Sequence, residues 1–264
     1  MNLTYVYGLV RAPRRPSLRG VPAGIPGATH LRLLDVSDAF PKGGGHWLVA
    51  ATVSAEEYGE AALEAGLLLI DWVGPRAMAH EAVIEHFLDA DAVLPMQLFT
   101  LFTSDERALE NVRKNSRRIA RILDRVEGHV EWGVRLMWNP AAREVTVSPN
   151  KSRVGRAFTA RQTSGADYLA TKRDQRDRNQ ADFKRARGEA GRLYRTVSRK
   201  ATKSVRRTAT EQGPGSRLLL DAAFLVRAKS ARGFAAAVQR EARALERKGI
   251  ALSLTGPWPA YNFV

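Results

Sequence analysis

The chain has 264 residues, enough for one large domain or two of ordinary size, and its 44% hydrophobic content supplies real cores. It contains no cysteine, which excludes disulfides, thiol nucleophiles, thiolate zinc sites and iron–sulfur clusters. The net charge of +15 is concentrated: Lys172 to Arg207 carries fourteen Lys or Arg against four Asp or Glu, leaving +5 for the other 228 residues.

The uncharged N-terminus MNLTYVYGLV reads as a strand over Leu3 to Val10, not as a signal peptide. Arg11 to Gly27 holds four prolines and three glycines and reads as a mobile loop without regular structure. Thr29 to Val36 and His46 to Val53 are β-like, separated by the turn-rich PKGGG. Ser54 followed by Glu57 has the spacing of a capping box and starts a helix. A second helix carries Pro75 early and runs to about Asp89. The longest apolar stretches, such as Ala61 to Val73, are broken by Glu64 and Asp71 and fall short of the ~20 residues that span a bilayer. A soluble cytoplasmic protein is expected, with no membrane partner.

Ala92 to Thr103 is an apolar extended segment, and Pro95 argues against a central strand position there. Ser104, with Asp105 and Glu106 behind it, caps a helix to about Glu127 whose apolar positions Leu109, Val112, Ile119, Ile122, Leu123 and Val126 follow helical spacing. Two strands, Val130 to Trp138 and Glu144 to Ser148, are joined by the hairpin signal NPAAR. Thr163-Ser164-Gly165 opens a basic helix expected over 163–208, with Phe183, Ala186, Ala190, Leu193, Val197 and Ala201 as a narrow apolar stripe. After the link Glu211 to Ser216 come a strand (Leu218 to Val226), an amphipathic helix (Ala231 to Lys248) and a last strand (Ile250 to Thr255).

The fold class is α+β with two α+β domains. The first is expected over 1–103. The second, over 104–254, has the order β-β-α-β-α-β and suits a modified ferredoxin-like sheet carrying the basic helix as a long insertion. Residues 255–264 form an aromatic and proline tail.

Nothing in the sequence points to catalysis, a cofactor or a metal. The two imidazoles of HEAVIEH, His80 and His86, are six residues apart, ~240° around a helix, whereas the metalloprotease pattern needs four. Gly43 to Gly45 lacks the lysine of a phosphate loop, and no nucleophile-elbow motif occurs. The basic helix is suited to an anionic partner through Arg195, Arg199, Lys200, Lys203, Arg206 and Arg207. Nucleic acid is the alternative partner, and a nucleic-acid-binding or regulatory protein the alternative function. However, Phe183 and Tyr194 are the segment's only aromatics, too few for base stacking.

Several segments together resemble the gas vesicle protein L/F family, GvpL/GvpF: TYVYGLV, HEAVIEHFLDADAVLPMQLFTLFTSDE, EWGVRLMW, SGADYLATK and the closing TGPWPAYNFV. One departure is internal. The family usually has an arginine and a Phe-Gly pair after the Leu-Pro, where this chain has Gln97, Leu98 and Phe99 following Met96. The resemblance implies two α+β domains and a non-enzymatic accessory role in building gas vesicles. It also implies partners, namely the hydrophobic major shell protein (GvpA) and other accessory proteins.

The tail Pro257, Trp258, Pro259, Tyr261 and Phe263 then has two readings. It packs back on the first domain as a clasp, the prolines holding it extended, or it offers its aromatics to a partner. The unfavourable exposure of three aromatic rings makes packing the expectation.

Overall fold

The computed structural model describes residues 1–40, 44–139, 165–208 and 217–264. The expected PKGGG turn falls partly outside them. The NPAAR hairpin, the strand over Glu144 to Ser148, the cap at Thr163-Ser164 and the Glu211 to Ser216 link also lie largely or wholly outside.

Two compact units divide the chain. One comprises residues 1–131, 227–229 and 257–264, the other 132–226 and 230–256. The first unit is built around β1 (Asn2–Ala12), whose run of Val, Leu and Tyr suits a strand buried on both faces. β1 pairs antiparallel with β3 (Gly45–Ser54) from Asn2 opposite Ser54 to Ala12 opposite Gly45, and a register shift leaves Tyr7 as an extra residue. β2 (Arg32–Asp35) pairs with β3. β4 (Ala92–Pro95) and β5 (Leu101–Phe102) pair with the other side of β1. The order is β2-β3-β1-β4, with β5 also on β1. Pro95 ends β4, where the missing N–H is tolerated.

Among the described residues this unit also holds the α-helices α1 (Ala55–Tyr58), α2 (Glu60–Gly66), α3 (Ile70–Glu85) and α4 (Asp105–Val126). The hydroxyls of Ser54 and Ser104 cap the helices as their spacing predicts, accepting from the Glu56 and Arg107 amides. α4 buries Ala108, Val112, Ile119, Ile122, Leu123 and Val126, the stripe at period 3.6. The domain expectation put this helix with the second half of the chain, whereas it groups with the first unit. Its burial surface includes β1, where buried Arg11 meets Asp124 at 2.9 Å and Glu127 at 3.0 Å.

The second unit contains most of β6 (His129–Trp138), then α5 (Gly165–Ser198), β7 (Lys203–Arg206), β8 (Arg217–Arg227), α6 (Ala231–Glu246) and most of β9 (Ile250–Trp258). Among the described residues the order is β-α-β-β-α-β and the sheet order is β7-β8-β6-β9, which is the ferredoxin-like arrangement.

Two expectations need correction. The basic helix ends at Ser198, not near 208, and residues Lys203–Arg206 form a strand antiparallel to β8. The helix is also the first crossover helix of the motif and not an insertion into it. The cause lies in the sequence around Thr202. The apolar stripe of α5 gives out after Val197, the Thr202 amide donates to the Leu225 carbonyl at 2.8 Å, and β-branched Val205 pairs opposite Ala223. Ala186, Ala190, Leu193 and Val197 of α5 are buried, as are Phe234, Val238 and Leu245 of α6.

Candidate functional site

The residues of the TYVYGLV and HEAVIEHF segments converge in the first unit. Tyr5 and Tyr7 come from β1, Tyr58 from α1, Trp72, Arg76 and His80 from α3, and Phe99 from the turn after β4. The Tyr5 and Tyr7 rings lie 4.7 Å apart, and His80 stacks on Tyr7 at 5.5 Å.

Each tyrosine hydroxyl fixes a loop. The Tyr7 hydroxyl accepts from the Ile25 amide at 2.9 Å, and the Tyr58 hydroxyl donates to the Pro26 carbonyl at 2.5 Å while accepting from Arg76 Nε at 3.1 Å. The segment after Arg11 thus has no helix beyond Ala12 and no strand until Arg32, as expected. It is nevertheless not the mobile loop anticipated, because Ile25 is buried in the core. Gly24 is required there, since a Cβ would sit 2.4 Å from the Tyr7 hydroxyl.

The third hydroxyl anchors a chain of hydrogen bonds. The Phe99 amide donates to the Tyr5 hydroxyl at 3.3 Å, which donates to His80 Nδ1 at 2.7 Å, and His80 Nε2 donates to the Met96 carbonyl at 3.1 Å. A carbonyl accepts only, so the proton of the neutral imidazole sits on Nε2. Burial pushes His80 down to about 4, and the Met96 hydrogen bond offsets only part of that. Burial likewise raises the Tyr7 phenol to about 12. His80 is therefore a neutral core group. Among the described residues no cluster of His, Asp or Glu has the arrangement of a metal site.

Phe99 has φ of 64°, the left-handed region that disfavours a residue with a Cβ. It stands in the Leu98–Phe99 pair, where the family pattern has Phe-Gly. Its ring packs 5.3 Å from Trp72 and 6.4 Å from Tyr58, so aromatic packing holds the strained backbone.

The tail meets this same cluster. Tyr261 packs against it, and Pro259 and Phe263 are buried, the latter 7% exposed. Trp258 is half-buried at the end of β9, and Pro257 is exposed. The backbone is tied as well as the rings. Buried Glu131 accepts from the Asn262 amide at 2.8 Å and from its side-chain Nδ2 at 2.5 Å, and Arg125 Nη1 donates to the Phe263 carbonyl at 3.0 Å. Burial, with Glu81, Glu85 and Glu131 nearby, raises the Tyr261 phenol.

The six basic residues singled out from the sequence do not share one helix face. Only Arg195 lies on α5. Arg199 and Lys200 follow its end, and Lys203 and Arg206 lie on β7. Arg207 donates through Nε to Asp221 at 2.8 Å, and Arg135 meets the same carboxylate at 2.8 Å. Burial alone would raise the Asp221 carboxyl, but the hydrogen bonds from Arg135 and Arg207 outweigh it and hold it below its usual value. The Arg206 guanidinium lies over the Tyr194 ring at 4.3 Å. On an edge strand, such cations also block pairing with another chain. The exposed stretch of α5 is its N-terminal part, residues 169–181, where Asp174 and Asp177 interrupt Lys172, Arg173, Arg176 and Arg178.

Sequence reasoning passed over one surface. Leu67, Leu68, Leu69 and Ile70, at the α2–α3 junction, are all exposed, as is Met78. The run GLLLI lies within the apolar stretch that falls short of a membrane span. The missed signal was four consecutive apolar residues with neither the period of a helix face nor the alternation of a strand.

The sequence matches the model of a family described as gas vesicle synthesis protein GvpL/GvpF over residues 3–264. It is 33% identical over 222 residues to gas vesicle protein L of Streptomyces sp. (strain CB03234), covering 82% of this chain and 79% of that one. The fold is similar to the crystal structure of GvpF from Anabaena sp. PCC7120, with a TM-score of 0.66 and 12% identity over 100% of this chain and 96% of the other. GvpF from Microcystis aeruginosa has a TM-score of 0.61 at 12% identity over 99% and 98%. Among the described residues no helix is long and apolar enough to cross a membrane.

Proposed function

Since the chain belongs to the GvpL/GvpF family of gas vesicle synthesis proteins, we propose that it is an accessory protein of gas vesicle assembly. In this reading it binds the hydrophobic major shell protein, GvpA, as a chaperone, nucleator or minor shell component, works beside other accessory proteins, and is found in the cytoplasm and at the gas vesicle. The observation that carries the reading is the extent of the match, residues 3–264, which takes in both units and the tail. The physical rationale is that an apolar shell subunit must be kept from aggregating until it joins a wall. That task calls for a partner with a local apolar contact and a charged remainder, as the net charge of +15 provides. It calls for no catalytic group. In this reading the tail serves the fold as a clasp, supported by the packing of Tyr261 on the core of the first unit and by the burial of Phe263.

The test is co-expression with the major shell protein and recovery on the tagged accessory protein, washed at low and at high salt. Retention at high salt is the expected result, because an apolar interface is not screened. Loss at high salt, with DNA or RNA in the low-salt eluate, would overturn the reading in favour of a nucleic-acid partner for the basic segment.

A further inference from the structure

Of the nine large apolar residues exposed among the described ones, five lie on one short stretch of the first unit: Leu67 at 57%, Leu68 at 85%, Leu69 at 58%, Ile70 at 79% and Met78 at 73%. Ile70, Gly74 and Met78 succeed one another at steps of four along α3, so Ile70 and Met78 share a face with no side chain between them. Together the five present on the order of 600 Å² of apolar surface, at the upper end of what a monomer shows in one patch.

This exposure is built into the fold. The backbone of the junction is satisfied: Leu67 N–H donates to the Leu63 carbonyl, Leu69 N–H to the Gly66 carbonyl, and the Trp72 and Val73 amides to the Leu69 carbonyl, all between 2.9 and 3.0 Å. From behind, Trp72 packs on the aromatic core, and the Arg76 guanidinium lies 3.9 Å over its ring while donating to its carbonyl at 3.1 Å. Gly66 passes directly against that ring, where a Cβ would come within 2.6 Å. The junction is therefore held in place by groups that leave its apolar side chains outward.

The charge around it is the opposite of the chain's. Between Ser54 and Pro75 there are five acids, Glu56, Glu57, Glu60, Glu64 and Asp71, and no Lys or Arg, in a protein of net charge +15. All five are exposed. An acidic margin repels nucleic acid and anionic lipid headgroups alike. A second copy of this chain offers its basic α5 as a counter-charge, but the exposed part of that helix has one large apolar residue, Leu169, too little to cover four.

We propose that the Leu67–Ile70 junction with Met78 is the docking surface for an apolar polypeptide surface edged by Lys or Arg, and that the shell protein supplies it. The identity of the partner rests on the function proposed above, whereas the choice of surface does not. Apolar burial supplies the affinity and the acidic margin steers and orients the encounter.

The test uses the full chain co-expressed with the shell protein, comparing wild type with Leu68→Ser/Ile70→Ser and with Glu60→Lys/Glu64→Lys/Asp71→Lys, each first shown to melt like wild type. The apolar pair is expected to lose at least tenfold in binding at both salt concentrations. The charge reversal is expected to weaken binding at low salt and to converge on wild type at high salt. Wild-type retention matched by the apolar pair would overturn the surface while leaving the assembly function standing. No retention even by wild type would overturn both. Light scattering supplies the remaining outcome: a wild-type dimer abolished by Leu68→Ser/Ile70→Ser would make the occupant a second copy and overturn the proposal.

Discussion

Two apolar stretches of the first unit have opposite fates. The tail carries Trp258, Tyr261 and Phe263 at the very end of the chain, the place where exposure is ordinarily expected, yet Phe263 is buried and Tyr261 packs on the tyrosine cluster. The α2–α3 junction carries Leu67 to Ile70 inside a run of helices, where burial is ordinarily expected, yet all four are exposed. The difference lies in what each backbone is attached to. The tail is drawn in by polar anchors, Glu131 on the Asn262 amide and Arg125 on the Phe263 carbonyl. The junction is pinned from beneath by Trp72 and Arg76, which use the inward face for themselves. Hydrophobicity alone does not decide burial. A hydrogen-bonded scaffold decides which side of the segment faces in.

The comparison is broken most severely at Phe263. Phe263→Ala is expected to destabilise the first unit by about 3–4 kcal/mol, from lost transfer energy and the cavity left behind. Urea denaturation of the full chain measures it, and a change under ~1 kcal/mol would show that the tail ring carries no core role. Next comes the pH dependence of the cluster beneath the tail. His80 is neutral in the fold and about 4 in pKa, against 6.5 unfolded. The unfolded chain therefore takes up a proton as pH falls below 6.5 while the folded chain does not. Stability present above pH 6.5 is lost down to about pH 4, on the order of 2–3 kcal/mol. His80→Gln keeps a polar side chain and should flatten that part of the profile relative to wild type. An unchanged slope between the two would mean that His80 does not titrate there.

Glu131→Gln is the milder attack on the anchor. It removes the negative charge that accepts from the Asn262 amide, and a loss of about 1–2 kcal/mol is expected. Hydrogen exchange at the Asn262 amide should rise with it, and unaltered protection there would argue against the anchor. Smallest of all, Leu68→Ser should change stability by less than ~0.5 kcal/mol, because an 85% exposed side chain has little burial to lose. A loss above 1 kcal/mol would place Leu68 in the core and remove the contrast.

Much of the fold was legible because period and punctuation are local signals. The α4 stripe from Val112 to Val126, the caps at Ser54 and Ser104 and the β1 strand follow from spacing and turn chemistry alone, whereas the first buried position of α4 is Ala108 and not the expected Leu109. The α5–β7 boundary was not legible, since Lys203 to Arg207 continues the charge density of the helix and only the pairing of β7 with β8 distinguishes it. The candidate cations Arg195, Arg199, Lys200, Lys203 and Arg206 are therefore divided between the end of α5 and β7. Arg207, a candidate partner contact by sequence, donates to Asp221, fourteen residues away, which no helical spacing reveals. The tail was legible as aromatic and proline-rich, but Glu131 and Arg125 as its anchors were not, being more than a hundred residues distant.

By itself, then, the sequence determined the α+β class, the absence of thiol chemistry, the concentration of positive charge and, through the closing TGPWPAYNFV, the family resemblance. These depend on composition and on patterns within a few residues. Only the tertiary structure decided that the basic helix is the first crossover of a ferredoxin-like sheet, that His80 is a neutral core group, and that the leucines at 67–69 face outward while Phe263 faces in. Each of those outcomes is set by contacts between residues far apart in the chain, whose pairing follows from sheet order and packing and is not encoded in any one segment.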